Sequence, residues 1–516
     1  MKVLLRNQSI EKIPCDLLIA NLFKGVKNPT GGTATIDSAL DGLIKKVIKE
    51  ENFEGKVGST LTIRTNGAIP AKKVTIVGLG EKEKFDLDAV RKASASAIRT
   101  AKKENAKTVC TLLHGAGLGK SETQDIAQAI TEVSKLALYE FDKYKSKDKK
   151  EPTKDVQTLI IAETDKTKLK EIEAGIKNGT LFAKAQNIAR DLVTEPAITA
   201  TPTYLAKYAK KLGKENKLPT KIFDKKDCEK MGMGAFLAVN QGSKQPPKFI
   251  VMKYVPKGKP RKHIAIVGKG ICFDSGGLSL KPANSMETMK DDKSGAAAVL
   301  GVMSVIKELK PDVAVTMIIA ATDNMPGGNA YKPGDIVRAM NGQTIEVLNT
   351  DAEGRVTLAD ADSYAIMKED VDELIDLATL TGACVVALGD TASGVMTDQK
   401  NTAHQKLADK IIKSGNEVGE RMWQLPIYDD DRKKIESDVA DMINTGSKGK
   451  SGAQNGFVFI EKHVIVACKK AKKEVIPYVH IDIAGPSWID SQNEFGPKGP
   501  TGVGARTVLN YLMNHA

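Results

Sequence analysis

Residues 348–366 read LNTDAEGRVTLADADSYAI, a polar turn that runs directly into a stretch with helical character. Two carboxylates, Asp351 and Glu353, stand two positions apart beside a glycine, and Arg355 follows at once. Like charges this close disfavour each other's ionisation, so a positive group is expected between them, and Arg355 alone is not expected to supply it. The turn predicts a strand-to-helix junction, where open α/β sheets place their ligands.

Two further junctions carry charged residues among glycines and alanines. The first, VGKGICFDSGGLSLKP (267–282), supplies Lys269, Asp274 and Lys281. The second, METMKDDKSGAAAVLG (286–301), supplies Asp291 and Asp292. Singly, such acids are explained as helix caps or as first-turn residues that complement the helix dipole, and Lys281 as a surface charge. Together they indicate a site for two divalent cations, because carboxylates can bridge metals about 3.5–4 Å apart.

The composition limits the classes of protein to be considered. Of the 516 residues, 41% are apolar and 27% charged, which is typical of a globular protein. The longest apolar runs, such as 313–321, are too short to cross a bilayer, and Arg6, Glu11 and Lys12 interrupt any signal-peptide core. We therefore expect a cytoplasmic protein without a membrane segment.

Cysteine and histidine usage restricts the kind of metal site. The six cysteines lie far apart without a C-x-x-C pair, so neither a disulfide framework nor a cysteine zinc site is expected, and buried small side chains explain them better. The sequence also contains no H-E-x-x-H motif. Any metal is therefore expected to be held mainly by carboxylates.

The alternation of strand and helix patterns predicts two α/β domains. Buried strands at 72–80, 108–115 and 156–164 flank a helix at 87–104, which indicates a largely parallel N-terminal sheet. We predict an N-terminal domain over 1–165, a connecting helix over 166–192 and a larger α/β domain over 193–516. The charged stretch 142–155 is expected to be an exposed loop. The G-x-G turn at 77–85 lacks the third glycine of a dinucleotide-binding motif and is read as a plain turn.

The motifs also resemble a known family. NTDAEGR, GKGICFDSGG and KDDKSGAAAVLG resemble the leucyl aminopeptidase (cytosol aminopeptidase) family of two-metal exopeptidases. The resemblance extends through the second domain, including ARDLVTEPAITATP, LATLTGA and DIAGPSW. It implies a macro-domain-like N-terminal α/β unit, a catalytic C-terminal α/β domain with a central mixed sheet, and a homohexamer.

By motif position, the resemblance implies specific ligands. Asp274 and Glu353 would bridge both metals, Asp351 would complete one site, and Lys269 with Asp292 would complete the other. Lys269 has to be a neutral amine for this role, and two adjacent cations favour its deprotonation; pairing with a carboxylate or phosphate is the commoner fate of a loop lysine. The lysine nitrogen favours Zn²⁺ or Mn²⁺ over Mg²⁺.

The resemblance further implies a mechanism of peptide hydrolysis. A metal-bridging water is the expected nucleophile, and Lys281 is the expected electrophile for the oxyanion. Bicarbonate, held by Arg355 with the backbone of Gly354 and Val356, is the expected general base; a structural ion pair is the alternative for Arg355. The pocket for an apolar N-terminal residue such as leucine would contain four residues, namely Met289, Thr379, Leu380 and Gly382.

One position departs from the family pattern. Lys293 follows Asp292 directly, where the family more often has methionine. Such a lysine either lowers metal affinity at the Asp292 position by repulsion or points to solvent. The substitution bears on metal preference and affinity, and not on the class of reaction.

Two other functions fit parts of the sequence. The net charge of +13 is compatible with a DNA- or RNA-binding protein, although the lysines are dispersed and often paired with acids, which indicates a solvated surface. Paired carboxylates also serve two-metal phosphoesterases. The leading hypothesis is an aminopeptidase of intracellular peptide turnover.

Overall fold

The structure, a computed structural model, describes residues 1–118, 121–146, 155–446 and 449–516. The chain divides into two compact units. The first comprises Met1–Ala183 with Ser491–Lys498, and the second comprises Lys184–Asp490 with Gly499–Ala516. The sequence pattern did not indicate that Ser491–Lys498 groups with the first unit, and the predicted boundaries at 165 and 192 stay a prediction.

A six-stranded sheet forms the centre of the first unit. Its strands are β1 (Lys2–Arg6), β2 (Leu17–Phe23), β3 (Thr60–Arg64), β4 (Lys73–Gly80), β5 (Thr108–Thr111) and β6 (Thr158–Ala162). Their order is β1-β6-β5-β2-β4-β3, and only the edge strand β3 pairs antiparallel, with β4. The largely parallel sheet expected from the sequence is therefore confirmed.

Helices cover both faces of this sheet. They are α1 (Gly31–Ala39), α2 (Leu43–Glu50), α3 (Leu87–Lys103), α4 (Thr123–Leu136) and α5 (Leu169–Thr194), which continues into the second unit. Short 3-10 helices lie at Ile10–Lys12, Lys82–Lys84, Ala116–Leu118 and Lys166–Lys168. Alternate residues of β2 enter two apolar clusters: Leu17 and Ile19 join the cluster of α3 and α4, whereas Leu18 and Ala20 join that of α1 and α2.

The second unit is built on an eight-stranded mixed sheet. Its strands, in spatial order, are β15 (Met422–Gln424), β14 (Ser393–Met396), β17 (Tyr478–Asp482), β13 (Glu373–Ala378), β9 (His263–Asp274), β10 (Ala314–Asn324), β8 (Lys248–Tyr254) and β7 (Thr220–Phe223). The central strands β17, β13, β9 and β10 run parallel, and antiparallel pairs occur towards the edges. Small sheets are formed by β11 (Ile336–Arg338), β12 (Thr344–Glu346) and β16 (Met442–Ile443), and by β18 (Trp488–Ile489) with β19 (Gly499–Pro500).

Eleven further α-helices of the described residues lie in this unit. They are α6 (Pro202–Asn216), α7 (Lys225–Lys230), α8 (Gly234–Asn240), α9 (Ala283–Met286), α10 (Ser294–Leu309), α11 (Glu353–Glu369), α12 (Gly382–Leu388), α13 (Thr402–Glu417), α14 (Asp429–Lys433), α15 (Gly452–Lys470) and α16 (Ala505–Asn510). A 3-10 helix at Met289–Lys293 precedes α10, and a π-helical turn, Tyr511–His515, follows α16. The α/β fold class with two domains is confirmed.

Individual sequence predictions are confirmed at the level of elements. Thr201 caps α6, since its side chain accepts a hydrogen bond from Tyr204 N. All six cysteines are free and buried. Residues 142–146 and 155 of the predicted charged loop are exposed, whereas its centre, 147–154, lies outside the described residues. Within the described ranges, no helix has both the length and the apolar character needed to span a membrane.

The close packing of α10 on α5 gives a stability prediction. A Cβ at Gly301 would lie 2.3 Å from the backbone oxygen of Ala185, which has no flexible end that can move away. We expect Gly301→Ala to lower the free energy of unfolding by about 1–3 kcal/mol, despite the better helix propensity of alanine. Urea denaturation measures this change.

Gly328→Ala is the matched control, because a Cβ there would meet no heavy atom within 4 Å. We expect its unfolding free energy to stay within about 0.5 kcal/mol of the parent protein. Equal stability of the two variants would contradict the packing argument.

Candidate metal centre

Three chain segments bring charged side chains together at the carboxyl edge of the central sheet. Lys269 and Asp274 lie on β9, Asp292 lies in the 3-10 helix before α10, and Asp351 and Glu353 lie at the start of α11. All five predicted metal ligands thus lie in one cluster. The oxygens of Asp274, Asp351 and Glu353 lie within 4.8 Å of one another.

Two lysines, the buried Lys269 and the half-buried Lys281, connect the four carboxylates in pairs. Lys269 Nζ lies 2.7 Å from Asp292 Oδ1 and 3.0 Å from Glu353 Oε1. Lys281 Nζ lies 2.9 Å from Asp274 Oδ2 and 2.5 Å from Asp351 Oδ1. The lysines interleaved in the sequence are therefore part of the cluster, and the interpretation of Lys281 as a surface charge is wrong.

The carboxylates fit divalent cations because part of their bonding capacity is unused. Among the described residues, neither Oε2 of Glu353 nor Oδ2 of Asp292 has a hydrogen-bond partner, although both side chains are buried. A buried carboxylate oxygen without a donor is unfavourable unless a cation compensates it. Oxygen ligands of this kind suit Mn²⁺ and Zn²⁺. The role of each residue as a ligand stays a prediction.

The acids in this cluster resist ionisation. Burial raises the pKa of Glu353 to about 7, with a contribution from the charge of Asp274. Burial also raises the pKa of Asp292 well above its usual range, and the negative charges of Glu353 and Asp274 add to this effect. The pKa of Asp351 is raised by burial and then by Asp274. Bound cations would remove this penalty by neutralising the charges.

The two lysines of the cluster, Lys269 and Lys281, favour their charged form. Burial lowers the pKa of Lys269, but attraction to Asp292, Glu353 and Asp274 outweighs burial, and the net pKa is raised. The pKa of Lys281 is also raised, because Asp274, Glu353 and Asp351 outweigh its burial. Coordination of a metal by Lys269 must therefore displace a proton from its ammonium.

Two glycines allow these side chains to approach the backbone. A Cβ at Gly354 would lie 2.4 Å from Lys269 Cε, so a larger residue would push the lysine away from the start of α11. At Gly276 the backbone has φ +85°, and a Cβ would lie 2.4 Å from the Ser279 oxygen and 2.9 Å from Asp351 Oδ1. Glycine at these two positions is a steric requirement of the cluster.

Arg355 is buried in the first turn of α11, between Gly354 and Val356. Its Nη1 donates to the backbone oxygen of Asn444 at 3.2 Å, and its Nε has no hydrogen-bond partner among the described residues. Burial lowers the pKa of Arg355 to about 10, while Glu353 and Asp482 act in the raising direction. The guanidinium remains a cation with an unused donor beside a helix N-terminus, which is an arrangement suited to an anion.

The four residues of the expected substrate pocket differ in their exposure and in their contacts with the cluster. The Thr379 backbone oxygen accepts from Lys269 at 2.9 Å, and its hydroxyl donates to Asp292 at 2.8 Å. Leu380 is half-buried, and Gly382 is exposed at the start of α12. Met289 is half-buried in the 3-10 helix that carries Asp292. Their role in substrate binding stays a prediction.

The structure adds Asn324 to the centre, a residue that the sequence analysis missed. It also separates Asp291 from Asp292, which the sequence analysis had named together. Asn324, the last residue of β10, donates to Asp274 Oδ1 at 2.8 Å and to the Thr350 oxygen at 2.9 Å. Its position at the end of a central strand could have identified it from the sequence, because open α/β sheets bind ligands at such strand ends. Asp291, in contrast, accepts hydrogen bonds from the hydroxyls of Ser294 and Ser487 and makes none of the lysine contacts of the cluster.

Lys293 does not point to solvent, and that interpretation was wrong. The side chain is fully buried, and its Nζ donates to the Lys290 backbone oxygen at 2.6 Å. Burial lowers the pKa of Lys293 to about 8, while Cys272, Asp291 and Asp323 act in the raising direction. Its effect on metal affinity stays a prediction.

The fold and the site together define a class: an α/β protein with a buried carboxylate and lysine centre at the carboxyl edge of its larger sheet. Comparisons with known proteins give the family. Residues 187–509 match the cytosol aminopeptidase family, catalytic domain, and residues 21–148 match the N-terminal domain of the same family.

Relatives match over the whole chain. The chain is 44% identical over 517 residues to a probable cytosol aminopeptidase of Sulfurihydrogenibium sp., covering 100% of this chain and 98% of the relative. It is 44% identical to a probable cytosol aminopeptidase of Aquifex aeolicus, covering 93% and 92%. A solved mutant of tomato leucine aminopeptidase is 33% identical with a TM-score of 0.86, covering 100% and 97%. The bottromycin maturation enzyme BotP in complex with Mn is 28% identical with a TM-score of 0.83, covering 96% and 99%.

The chain belongs to the cytosol aminopeptidase family. It is a hydrolase, a metal-dependent aminopeptidase that acts on peptides. This confirms the resemblance stated from the motifs.

Asn324 gives a test of the centre that does not depend on turnover. In Asn324→Ala, Asp274 loses a fixed donor, so we expect the affinity for Mn²⁺ to fall about 10-fold to 100-fold. Titration calorimetry of the metal-stripped protein with Mn²⁺ measures it.

Asn240→Ala is the matched control for Asn324→Ala. Asn240 is also buried, but its side chain bonds Gln245 and Thr322 and none of the predicted ligands. Unchanged affinity in Asn324→Ala, or an equal loss in both variants, would show that Asn324 does not support the centre.

Proposed function

We propose that this aminopeptidase removes N-terminal leucine and other apolar residues from peptides at a two-metal centre formed by Lys269, Asp274, Asp292, Asp351 and Glu353. The observation that carries the proposal is the convergence of four carboxylates, of which Asp292 and Glu353 are buried with an unused oxygen each, and two lysines paired with them. Two Mn²⁺ or Zn²⁺ ions, when bound, would polarise the scissile carbonyl and lower the pKa of a bridging water that acts as nucleophile. The manganese in the BotP complex supports the choice of metal.

Lys281 supplies positive charge in the transition state. Its raised pKa favours the ammonium form, which can donate hydrogen bonds to an oxyanion that develops at the scissile carbonyl. The contacts of its Nζ with Asp274 and Asp351 hold it within the cluster. Lys281 therefore acts as an electrophile, whereas Lys269 acts as a ligand.

Arg355 binds the anion that accepts the proton. Bicarbonate at the first turn of α11 would receive hydrogen bonds from Arg355 and from the backbone of Gly354 and Val356. The unused Nε of Arg355 and the burial of its guanidinium support this assignment. The hydrogen bond to the Asn444 oxygen leaves the remaining guanidinium donors for the anion.

The apolar specificity rests on Met289 and Leu380, with Thr379 and Gly382 in the same segments. Leu380 follows β13, and its backbone N donates to Asp482 at 3.1 Å, which fixes the chain at this point. A Cβ at Gly382 would meet no heavy atom within 4 Å, so the adjoining space is open. A leucine side chain suits an open space lined by methionine and leucine.

Assembly and cellular role complete the proposal. We propose a homohexamer in the cytoplasm that takes part in intracellular peptide turnover. The names of the relatives, cytosol aminopeptidases, support this role. The nucleic-acid hypothesis stays a prediction; its mark is binding that weakens steeply with salt.

Glu353 provides the direct test of the centre. We expect Glu353→Gln to reduce kcat/KM for leucine amide to near background, because it removes a negatively charged ligand while preserving side-chain shape. Turnover and circular dichroism of the variant measure activity and fold. A phosphomonoester assayed in parallel is expected to give no turnover, and turnover of that substrate instead would favour a phosphoesterase.

Glu369→Gln is the matched control, since Glu369 is buried at the other end of the same helix and pairs with Lys253. We expect this variant to keep its activity. If Glu353→Gln turned over leucine amide like the parent protein, the ligand role of Glu353 would be refuted.

The pocket gives a separate prediction. In Leu380→Ala, we expect the preference for leucine amide over alanine amide to fall about tenfold, because an apolar contact of this size is worth about 1–3 kcal/mol. Steady-state kinetics with both amides measure it. A preference equal to that of the parent enzyme would exclude Leu380 from the pocket.

A further inference from the structure

Asp482 is a fully buried carboxylate that makes none of the lysine contacts of the metal cluster. It is the last residue of β17. This strand pairs in parallel with β13, and Asp482 lies opposite Ala378, the last residue of β13. A buried carboxylate is unfavourable unless its oxygens are bonded, and the carboxyl ends of such strands are where open α/β sheets bind ligands. The partners of Asp482 therefore indicate what it does for the site.

The two oxygens of Asp482 hold the segment that follows β13. Oδ1 accepts a hydrogen bond from Leu380 N at 3.1 Å, and Oδ2 accepts one from the Thr381 hydroxyl at 2.7 Å. Oδ1 also accepts from Ala484 N at 3.1 Å, which fixes the carboxylate itself. The Thr381 hydroxyl in turn accepts from Cys384 N and caps α12. Asp482 thus fixes both the backbone of Leu380 and the start of α12.

The metal centre holds the same segment one residue earlier. The Thr379 backbone oxygen accepts from Lys269 at 2.9 Å, and the Thr379 hydroxyl donates to Asp292 at 2.8 Å. Leu380 therefore lies between two anchors, the metal cluster on one side and Asp482 on the other. Its side chain is half-buried. The position of Leu380 depends on both anchors, and removal of one of them leaves the segment held at one end only.

Arg355 lies against this segment as well. A Cβ at Gly456, in α15, would lie 2.9 Å from Leu380 Cδ2, 3.4 Å from Thr381 Cγ2 and 3.5 Å from Arg355 Nη2. The three side chains therefore converge on one point of α15, which has to be glycine to admit them. The apolar wall expected for the substrate and the guanidinium expected for the anion are thus neighbours.

The charge of Asp482 also acts on Arg355. Burial lowers the pKa of Arg355 to about 10, and the negative charges of Glu353 and Asp482 act in the raising direction. A carboxylate that stabilises the guanidinium also offsets part of the positive charge that a further anion would meet. Asp482 is therefore connected to the apolar wall by hydrogen bonds and to the anion site by charge.

We infer that Asp482 is a positioning residue with two effects: it holds Leu380 in place for apolar N-terminal side chains, and it weakens the binding of an anion at Arg355. The inference rests on the proposed function, since it deepens the pocket and the anion site proposed there. Removal of the charge is expected to change the two properties in opposite directions, with poorer recognition of leucine and tighter binding of the anion. A purely structural role would instead impair both.

Asp482→Asn tests both effects, because it removes the charge and one acceptor while preserving side-chain shape. We expect the ratio of kcat/KM for leucine amide to that for alanine amide to fall about fivefold, mainly through a higher KM for leucine amide. We expect the dissociation constant of bicarbonate to decrease about fivefold. Titration calorimetry with bicarbonate, on Mn²⁺-loaded protein freed of excess metal, measures this constant independently of turnover.

Thr381→Val separates position from charge. It removes the hydroxyl that bonds Asp482 Oδ2 but leaves the carboxylate in place. We expect the ratio for the two amides to fall in this variant as well, while the dissociation constant of bicarbonate stays at the parent value. Circular dichroism of each variant establishes that the protein is folded.

Asp360→Asn is the matched control. Asp360 is also fully buried and accepts backbone hydrogen bonds, from Phe236 N at 2.8 Å and Met340 N at 2.6 Å, and among the described residues it bonds none of 379–381. We expect this variant to keep both parent values. A parent ratio in both Asp482→Asn and Thr381→Val, or bicarbonate binding in Asp482→Asn that is unchanged or weaker, would overturn the inference. A parent enzyme that does not prefer leucine amide, or does not bind bicarbonate, would instead overturn the proposed function, so the two failures are distinguishable.

Discussion

The metal centre of the larger unit is possible only if the repulsion among four neighbouring carboxylates is compensated. These carboxylates belong to Asp274, Asp292, Asp351 and Glu353. Four carboxylates this close together, three of them buried, are stable only if positive charge is interleaved with them. Lys269 and Lys281 supply part of it through contacts of 2.5–3.0 Å. The remaining unused oxygens explain why the same residues suit divalent cations. Charge balance is therefore the common cause of the local structure and of the proposed chemistry.

The second requirement of the centre is glycine at the points where β9, α10 and α11 lie close together. Gly268 and Gly295 bring β9 and α10 into direct contact, since a Cβ on either would clash with backbone atoms. This contact and the short 3-10 helix before α10 place Asp292 beside Lys269. Gly354 then lets Lys269 lie against the start of α11. The glycines that look like turn residues in the sequence therefore set distances between charged groups.

The first turn of the same region's helix α11 carries charges of both signs. Glu353 pairs with Lys269, and Arg355 lies buried two positions later. One helical turn thus presents a carboxylate for cations and a guanidinium for anions to neighbouring spaces. Both groups are held by one helix, and such a rigid connection favours accurate positioning of whatever they bind.

Much of this could be predicted from the sequence, because the information is local. Strand and helix patterns fixed the two α/β units, and the charged turns at 267–282, 286–301 and 348–366 identified the five candidate ligands and Lys281 by residue type and motif. Only the tertiary structure decided which acids share the centre: it placed Asp292 beside Lys269, paired Asp291 with the hydroxyls of Ser294 and Ser487, and added Asn324 from a neighbouring strand. It also buried Lys293, which sequence could not distinguish from a surface lysine. Local patterns determine where a strand ends, whereas the direction of a side chain depends on partners from distant segments, and these meet only when the sheet is assembled.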